Sequence, residues 1–444
     1  MTVASTSIVL PEWSQVTPEE TKELAGRYLD TSPATRVVVE LLEKRGLLEI
    51  RELRRGLSIQ SFSHVGRVQV GDLSITVLPK IQRMSLLSLV RYAYELRRLD
   101  RISESMLPAA QCGFEDLLIR QLIGEVEELI SRGLRRAYVE TRERLSSPRG
   151  RIDLRRMALD GGTVTATLPC QHHPQTEDTL LNRVLMAGLK LAGSMANAVE
   201  LRRECRRLVA LMEDQVSTVR LDRTALARAE RQMNRLTTAY ASALSIIRLL
   251  VEAQGIVLEG ESTTALPGFL FNMNAFFQAL LSRFLRENLP GYSVRDERGL
   301  KGMMRYNPQF NPQRRQSPTP RPDFVVLHQG KVETLLDAKY RDLWEKPLPR
   351  DMLYQLAVYA ISDRQRLQSS ILYPTTNPQA REARIDISDP HFGRHLGQVC
   401  LRPVFLPFLE QTVHSNTLRA RKARADYARQ LVFGSVSRPG PLRS

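Results

Sequence analysis

RPDFVVLHQGKVETLLDAKYRDLWEKPLPRDMLYQLAVYA, residues Arg321–Ala360, is the stretch around which the fold of this chain is organised. Its first half contains two apolar runs with strand character, Phe324 to Leu327 and Val332 to Ala338. The few residues between them include the turn former Gly330. Two strands joined by so short a loop predict an antiparallel β-hairpin.

The predicted hairpin groups charged residues that suit phosphodiester hydrolysis. Asp337 and Lys339 point to one face, roughly 6–7 Å apart, because side chains two positions apart in a strand point the same way. Pairing of the strands would bring Asp323 beside them. Two carboxylates suit Mg²⁺, which binds few protein oxygens and fills its remaining positions with water and phosphate. Lys339 would hold or deprotonate the attacking water and neutralise the developing negative charge.

The second half of the stretch predicts a helix from Asp351 to Ile361. Gln355 and Tyr359 are four residues apart and therefore lie on one face of it. A PD dipeptide, then D-x-K at the end of a strand, then Q-x-x-x-Y on the next helix resembles the PD-(D/E)XK nuclease superfamily in its RecB-like branch. We therefore interpret Asp323, Asp337 and Lys339 as catalytic candidates, with Gln355 and Tyr359 as further members of the site.

Composition narrows the class of protein. The 444 residues carry a net charge of +16 and a pI near 10, which favours a polyanionic partner such as nucleic acid. The four cysteines are scattered without C-x-x-C spacing, so neither a zinc site nor a disulfide framework is predicted. No secretory leader and no apolar run of membrane-spanning length is evident, so we expect no membrane association and a cytoplasmic location.

The length of the chain allows several domains. Changes in hydrophobic periodicity and in charge along the chain predict four segments. We expect an N-terminal α+β domain with a small β-region (1–160), a mainly helical middle region (161–262), a mixed sheet flanked by helices (263–412) and a basic tail (413–444). The tail, RARKARADYARQ at its core, predicts either a short amphipathic helix or a disordered arm. The expected fold class is mixed α+β, with a restriction-endonuclease-like C-terminal sheet.

The order of several motifs resembles the McrC family, the nuclease subunits of McrBC-type, 5-methylcytosine-dependent restriction systems. The resemblance extends from about residue 50 to 410 and rests on five stretches: FSHVGRVQVGDLSITVLPKI (62–81), RGRIDL (149–154), CQHHPQTEDTLLNRVL (170–185), GFLFNMNAFFQALL (268–281) and the PDF…LDAKY…YQLAVYA series. The VGDLSITVLPKI and TEDTLLNR stretches are the most discriminating, because the nuclease motif is shared with many other enzymes.

The resemblance implies a division of labour between two proteins. An McrB-like AAA+ ring, driven by GTP or ATP, carries the domain that reads the modified base. The McrC-like chain docks into that ring through its N-terminal region, stimulates NTP hydrolysis and cuts double-stranded DNA. The sequence contains no G-x-x-x-x-G-K-[ST] loop, so we expect this chain to bind no nucleotide itself.

The resemblance also implies a metal site. Asp323, Asp337 and the backbone carbonyl of Ala338 would bind Mg²⁺, with Mn²⁺ as an alternative ion. The family pattern has Asp and Glu where Asn272 and Gln278 stand here, so Gln278 is an auxiliary candidate whose amide leaves the number of metals open. Arginines of the polar loop before Asp323 are candidates for contacts to the DNA backbone: Arg305, Arg314, Arg315 and Arg321.

Two other functions remain open on the sequence. One is a non-catalytic, DNA-binding adaptor that activates the partner NTPase; the intact Asp323, Asp337 and Lys339 argue against it. The other is an autonomous RecB-like nuclease, which the N-terminal β-region and the absence of helicase motifs disfavour. The interpretation that best fits the residues is a partner-dependent, Mg²⁺-dependent DNA endonuclease.

Overall fold

The computed structural model describes residues 6–29, 32–96, 113–159, 161, 166–253, 268–362 and 368–434. Cys112 and the last ten residues of the predicted tail lie outside this part of the chain. The described residues are 42% helix and 25% strand and contain a mixed sheet, which confirms the mixed α+β class. None of the helices in these ranges has the length and apolar character needed to cross a membrane.

The chain forms two compact units that do not follow the four predicted segments. One unit consists of Met1–Glu95 together with Leu270–Ser444, and the other is Leu96–Phe269. The first unit thus joins the N-terminal β-region to the segment expected to be the nuclease. The sequence suggested a separate N-terminal domain because periodicity is a local signal, whereas this grouping depends on contacts between residues hundreds of positions apart.

The N-terminal part of the first unit consists of short strands and two helices. Its elements are β1 (Thr6–Pro11), β2 (Gln15–Val16), α1 (Pro33–Lys44), β3 (Leu48–Leu53), β4 (Gly56–Ser61), β5 (His64–Val70), β6 (Leu73–Leu78) and α2 (Arg83–Ala93). Strands β5 and β6 form a hairpin, and β1 lies parallel to β6. Strands β2, β4 and β3 form a second, antiparallel sheet in that order.

The second unit is mainly helical. Its elements are α3 (Phe114–Ser131), β7 (Ala137–Tyr138), β8 (Thr141–Leu145), β9 (Arg151–Ile152), α4 (Leu154–Leu159), β10 (Leu168–His172), β11 (Gln175–Thr176), α5 (Leu180–Met195), α6 (Val199–Glu213), α7 (Arg223–Arg231) and α8 (Ala241–Ala253). Helices α3, α5, α6 and α8 contact one another through apolar faces. Side chains cap two of the helices, Thr179 at α5 and Asp222 at α7.

The C-terminal part of the first unit contains the larger sheet. Its elements are β12 (Gly268–Asn272), α9 (Met273–Asn288), β13 (Ser293–Asp296), β14 (Phe324–His328), β15 (Lys331–Ala338), α10 (Arg350–Ser362), β16 (Gln368–Thr375), β17 (Ala383–Ser388), β18 (His395–Phe405), α11 (Leu406–Val413) and α12 (Leu418–Phe433). Strand β12 completes a four-stranded sheet in the order β1-β6-β5-β12, and the six later strands form a sheet in the order β13-β14-β15-β16-β18-β17.

The six-stranded sheet is mixed, and its centre is fully buried. Strands β15, β16 and β18 are parallel to one another, whereas β13, β14 and β17 pair antiparallel with their neighbours. Parallel neighbours need a crossover, and α10 supplies it between β15 and β16. One face of the sheet packs Val325, Ile371 and Val399 against Leu356 and Tyr359 of α10. Helices α9 and α12 also contact β15.

The described part of the basic tail is a packed helix, the first of the two forms considered for it. Helix α12 begins at its N-cap Thr417, whose side chain accepts a hydrogen bond from the Ala420 N–H. Arg424 is buried and donates to Asn288 of α9 and to two backbone carbonyls. Tyr427 contacts the rings of Phe284 and Phe408. A run of basic residues therefore contributes to the fold as well as to the charge of the surface.

A buried carboxyl group links the two ends of the first unit. Glu12 Oε1 accepts hydrogen bonds from the Tyr340 hydroxyl (3.0 Å) and from the Lys80 backbone N–H (2.9 Å). Trp13 Nε1 donates to the Tyr340 carbonyl at 2.9 Å. Tyr340 directly follows Lys339 in the chain, so these bonds hold the N-terminal segment against the end of β15.

We expect Glu12→Gln to remove a pH dependence of stability between about pH 4.5 and 7. Burial raises the pKa of Glu12 from 4.5 to about 7, although the hydrogen bonds from Lys80 and Tyr340 lower it. The folded state then keeps a proton that the unfolded chain has already released, so stability falls as pH rises through this range and stays lower above it. The difference between the folded and unfolded pKa values of Glu12 corresponds to a loss of at most about 3 kcal/mol in the free energy of unfolding.

The measurement is urea unfolding at pH 5 and pH 8. Glutamine keeps the accepting oxygen but carries no charge, so the variant should match the wild type at pH 5 and exceed it at pH 8. The exposed residue Glu23 provides the control substitution, Glu23→Gln, which should change neither value. Parallel pH profiles for wild type and Glu12→Gln would contradict the expectation.

Candidate active site

The β14–β15 hairpin has the turn that its sequence predicts. His328 pairs with Lys331, which leaves Gln329 and Gly330 as a two-residue loop. Both have positive φ, +48° and +81°, as a type I′ turn requires. Glycine adopts such a φ without strain. This turn sets the register beside it, and a β-bulge between Leu327 and Val326 then shifts the pairing of the two strands by one residue.

The register brings the two aspartates together at the other end of the hairpin. Phe324 pairs with Leu336, so Asp323 lies opposite Asp337. The Asp323 N–H donates to Asp337 Oδ1 at 3.3 Å. The Asp323 side chain in turn accepts the Ala338 N–H at 2.8 Å through Oδ2. Each aspartate side chain therefore accepts a hydrogen bond from the backbone at or next to the other aspartate.

Lys339 completes the group. Its Nζ lies 3.3 Å from Asp323 Oδ2 and 3.2 Å from Asp337 Oδ2. Its backbone N–H donates to the Leu372 carbonyl at 3.0 Å, just after the last β15–β16 pair. The ammonium group thus lies between two carboxylates where the central strand ends, as the spacing of these residues predicted.

Burial and mutual charge set the protonation of this group. The Asp337 side chain is only 3% exposed, and burial, together with the charge of Asp323, raises the pKa of Asp337. Burial lowers the pKa of Lys339, but the charges of Asp337 and Asp323 outweigh it and hold that pKa above its usual value. Lys339 is therefore cationic near neutral pH. Of the two roles expected for it, charge stabilisation fits this protonation state better than proton abstraction.

Gln278 contacts the site from helix α9. Its Nε2 donates to Asp323 Oδ1 at 2.8 Å, so both Asp323 oxygens accept hydrogen bonds. Asn272, the other departure from the family pattern, is the N-cap of α9 and accepts the Ala275 N–H at 3.1 Å. Asparagine and aspartate are equally good N-caps, so the Asn272 departure leaves the start of the helix intact. The Gln278 departure replaces an acid by an amide beside Asp323.

Gln355 and Tyr359 pair with each other beside the carboxylates. Gln355 Nε2 donates to the Tyr359 hydroxyl at 3.1 Å. Burial raises the pKa of Tyr359, and the negative charges of Asp337 and Asp323 raise it further, although the Gln355 hydrogen bond lowers it. Tyr359 is thus a neutral phenol within the electrostatic range of both aspartates.

The donor set fits a hard divalent cation of low protein coordination. Asp323 and Asp337 offer carboxylate oxygens, and the carbonyl of Ala338 should point toward Asp323, because the N–H and C=O of one strand residue leave the strand on the same side. Within the described ranges, no group of three or more His, Cys, Asp or Glu side chains is placed to hold a metal. Mg²⁺ tolerates this arrangement because it retains several waters.

The four candidate arginines lie on the loop that precedes Asp323. Arg305, Arg314, Arg315 and Arg321 have exposed side chains along the loop that leads to Asp323. Arg321 is two residues from Asp323, whereas the other three lie further along the loop. Their positions suit contacts to an extended ligand that continues past the site.

The structure adds a cleft that the sequence analysis missed. A cavity of about 590 Å³ opens beside Asp323 and is lined by residues of α2, α9 and the end of β13. Ser282 and Arg286 of α9 both contact Asp296 there, at 2.8 and 2.6 Å. The signal was present in the sequence, because Gln278, Ser282 and Arg286 recur every four residues and therefore lie along one face of the helix.

We expect Gln278→Glu to lower the Mg²⁺ concentration needed for thermal stabilisation by about tenfold, the smaller effect typical of groups around a metal site. Without metal, a third carboxylate beside Asp323 should lower Tm through repulsion. A thermal-shift titration with MgCl₂ measures both effects. Gln278→Ala is the control, since it removes the hydrogen bond without adding charge. Identical Mg²⁺ responses of the two variants would contradict a metal at this position.

One protein-family model and two solved structures match this chain. The family model for the McrBC 5-methylcytosine restriction system component matches residues 59–374. A chain of the Thermococcus gammatolerans half-complex of McrB AAA+ hexamers with bound McrC matches with a TM-score of 0.59 and 19% identity, covering 95% of this chain and 99% of that one. A chain of the T. gammatolerans McrBC complex matches with a TM-score of 0.46 and 17% identity, over 64% and 88% of the two chains. A search of curated proteins found no match.

Proposed function

This chain belongs to the family of McrBC 5-methylcytosine restriction system components, and on that premise we propose that it is the DNA-cleaving subunit of such a system. The observation that carries the proposal is the grouping of Asp323, Asp337 and Lys339 at the end of β15. All three lie within the residues that match the family model. A buried cluster of two acids and a lysine is costly to stability, which argues that it serves chemistry.

The proposed chemistry is metal-assisted hydrolysis of a phosphodiester bond. Mg²⁺ or Mn²⁺, when bound, would supply an activated water and neutralise phosphate charge. Asp323, Asp337 and the Ala338 carbonyl would hold the ion, and Gln278 orients the Asp323 carboxylate for it. The Lys339 ammonium, held by both aspartates, would stabilise the negative charge that develops on the phosphate.

The proposal includes an AAA+ partner. The fold is shared, over 95% of this chain, with a chain of a solved assembly that contains McrB AAA+ hexamers and McrC. This sequence lacks a P-loop, so NTP hydrolysis would take place in the partner ring. We propose that a GTP- or ATP-driven McrB-like ring binds modified double-stranded DNA and that this chain cuts it. The net charge of +16 is compatible with such a substrate.

The test is cleavage of methylated and unmethylated plasmid with Mg²⁺, with and without an McrB-like AAA+ protein, in the presence of GTP or ATP. Cutting that requires the methyl groups, the partner and nucleotide is the expected result. Cutting by the isolated chain, regardless of methylation, would instead indicate an autonomous nuclease. Stimulation of the partner's NTPase without any cutting would indicate an adaptor.

A further inference from the structure

The loop that precedes Asp323 has an unusual charge composition. Residues 298–321 contain six cationic side chains and no carboxylate. The six are Arg298, Lys301, Arg305, Arg314, Arg315 and Arg321. Such a segment repels itself and has no internal ion pairs, so its charge is available to a polyanion. We refer to residues 298–321 as the basic loop.

The basic loop is anchored to the catalytic sheet at its base. The Leu300 N–H donates to the Pro320 carbonyl at 2.9 Å, which closes the two ends of the loop. Leu300 and Met303 pack against the apolar cluster that includes Leu356 and Tyr359 of α10. Tyr359 lies within the electrostatic range of Asp323 and Asp337. This anchor is therefore close to the candidate site. The loop therefore extends from the site on a fixed base.

Local hydrogen bonds order the tip of the loop. Asn307 caps a single 3₁₀ turn, Pro308–Phe310, by accepting the Gln309 N–H at 2.9 Å. The Asn311 amide exchanges two hydrogen bonds with the backbone of Arg315, both at 2.9 Å. A tip that is ordered before binding loses little conformational entropy when it contacts a ligand.

The ordered tip exposes an aromatic ring. The Phe310 side chain is 77% exposed, and Met304 and Tyr306 are also exposed along the same loop. A single exposed phenylalanine has no special meaning by itself. Here, however, Phe310 lies in the sequence between Arg305 and the Arg314–Arg315 pair, in a segment without acidic residues. Cations that contact phosphates beside a projecting apolar ring are the combination with which proteins insert a wedge into DNA.

We propose that Phe310 contacts base faces of the DNA substrate as a wedge, while the arginines of the basic loop hold the flanking phosphates. This inference rests on the proposed function, since it assigns a DNA-distorting contact to the substrate of the same site. The loop's charge favours DNA over an apolar protein surface as the occupant. Insertion would unstack a base step near the carboxylates and bend the duplex there.

The structure offers a matched control for this residue. Phe392 is 88% exposed in the β17–β18 connection of the same unit. The connection, residues 389–394, contains one acidic residue, Asp389, and one arginine, Arg394, so with His391 neutral it has no cationic excess. Phe392→Ala therefore removes an equally exposed ring from a surface that should not bind DNA.

The test uses the full chain and a fluorescein-labelled 30-base-pair duplex without divalent metal, so that binding is separated from cleavage. Phe310→Ala should weaken binding about tenfold, whereas Phe310→Trp and Phe392→Ala should bind like the wild type. The slope of log K against log salt should stay unchanged in Phe310→Ala, because the lost contact is not ionic. In Arg314→Gln/Arg315→Gln the slope should fall by about 2, since roughly one counterion is released per phosphate contact.

Permanganate reactivity of thymines gives a second readout of the same complexes. Wild type should make one or two thymines reactive by unstacking them, and Phe310→Ala should abolish that reactivity even at saturating protein. Wild-type binding and unstacking in Phe310→Ala would overturn the inference, as would an equal loss in Phe392→Ala. A defect of Phe310→Ala confined to association with the AAA+ partner would assign the ring to a protein contact and also overturn it.

These outcomes are separable from failure of the proposed function. If Phe310→Ala binds normally while plasmid cleavage still requires Asp337, the wedge is wrong and the nuclease assignment stands. If the wild type binds no DNA and cuts none, both are wrong. Since Phe310 is exposed, the variant should keep the wild-type Tm, which excludes misfolding as an explanation.

Discussion

Asp337→Asn is expected to lower the rate of DNA cleavage by about 10³-fold or more, because the metal's contribution of several kcal/mol to transition-state stabilisation depends on this carboxylate. Asp337 is the most buried of the three charged residues and lies directly opposite Asp323. Asparagine has nearly the same shape and keeps an oxygen that can accept the Asp323 N–H. The change therefore removes charge at the site with little change in packing.

The same substitution, although it lowers the cleavage rate, should not lower the stability of the metal-free protein. Burial and the charge of Asp323 raise the pKa of Asp337, so its ionised form is unfavourable in the folded protein. An uncharged side chain removes that cost, and Asp337→Asn should have a Tm at pH 8 equal to or above that of the metal-free wild type. Adding Mg²⁺ should raise the Tm of the wild type and leave that of the variant unchanged.

Lys339→Ala provides the complementary variant. It removes the cation from between two carboxylates 3.2 and 3.3 Å away, so it should lower both cleavage and metal-free stability. Loss of one preorganised charge-stabilising group typically costs about 10²–10³-fold in rate. Cleavage assays and thermal melts on the two variants distinguish the roles. A nuclease in which Asp337→Asn still cuts at the wild-type rate would place the active site elsewhere.

Neither variant should alter the response of the partner ring. Both residues lie at the end of β15, and the proposed division of labour assigns NTP hydrolysis to another chain. We therefore expect normal stimulation of the partner's NTPase by Asp337→Asn. This readout also shows that the variant is folded and assembled, so that lost cleavage reflects chemistry.

The hairpin shows how much of the site the sequence determines. Strand alternation placed Asp337 and Lys339 on one face, and Gly330 indicated a tight turn. The two-residue turn sets only the register beside it, and a β-bulge between Leu327 and Val326 shifts the pairing by one residue so that Asp323 meets Asp337. All of these signals lie within 17 residues, from Asp323 to Lys339. The hairpin and the shared face of Asp337 and Lys339 could therefore be predicted without knowledge of the rest of the chain, whereas the bulge that aligns Asp323 with Asp337 could not.

The contacts that surround Asp323, Asp337 and Lys339 could not be predicted in the same way. Trp13 donates to the carbonyl of Tyr340 across 327 residues of sequence, and Glu12 is buried against the same tyrosine. No periodicity in TSIVLPEWSQ, residues 6–15, indicates that this segment packs beside the end of β15. Similarly, the spacing of α9 placed Gln278 beside core residues, but only the packing of the helix directs its amide to Asp323.

Buried arginines were the largest departure from simple patterning. Arginine is expected at the surface from its charge alone, yet Arg402 of β18 and Arg424 of the basic tail are both buried. A guanidinium group can be buried when its donors are satisfied, and these two bind backbone carbonyls at the ends of helices. Sequence patterns assign charge to the surface because they cannot show which carbonyls remain to be paired.

Arg402→Ala is therefore expected to destabilise the protein by about 3–5 kcal/mol, the usual cost of leaving a buried charge without its partner. Arg402 is 3% exposed and bonds to Glu382 at 3.1 Å. Its Nη1 also donates to the carbonyls of Leu431 and Val432, at 3.1 and 2.6 Å, where α12 ends. Alanine would leave those carbonyls and one Glu382 oxygen unpaired, and it would remove a cation from the negative end of the helix.

Arg384 supplies the control, because it binds the other oxygen of the same glutamate at 2.6 Å but is 50% exposed. Arg384→Ala should cost less than about 1 kcal/mol, as exposed ion pairs generally do. Urea unfolding of the two variants measures the difference, and limited proteolysis should release α12 from Arg402→Ala first. Arg402→Lys should be intermediate, since an ammonium group keeps the charge but cannot reach the glutamate and both carbonyls with the same fork. Equal midpoints for Arg402→Ala and Arg384→Ala would mean that α12 is held by its apolar face alone, through residues such as Ala428 and Leu431.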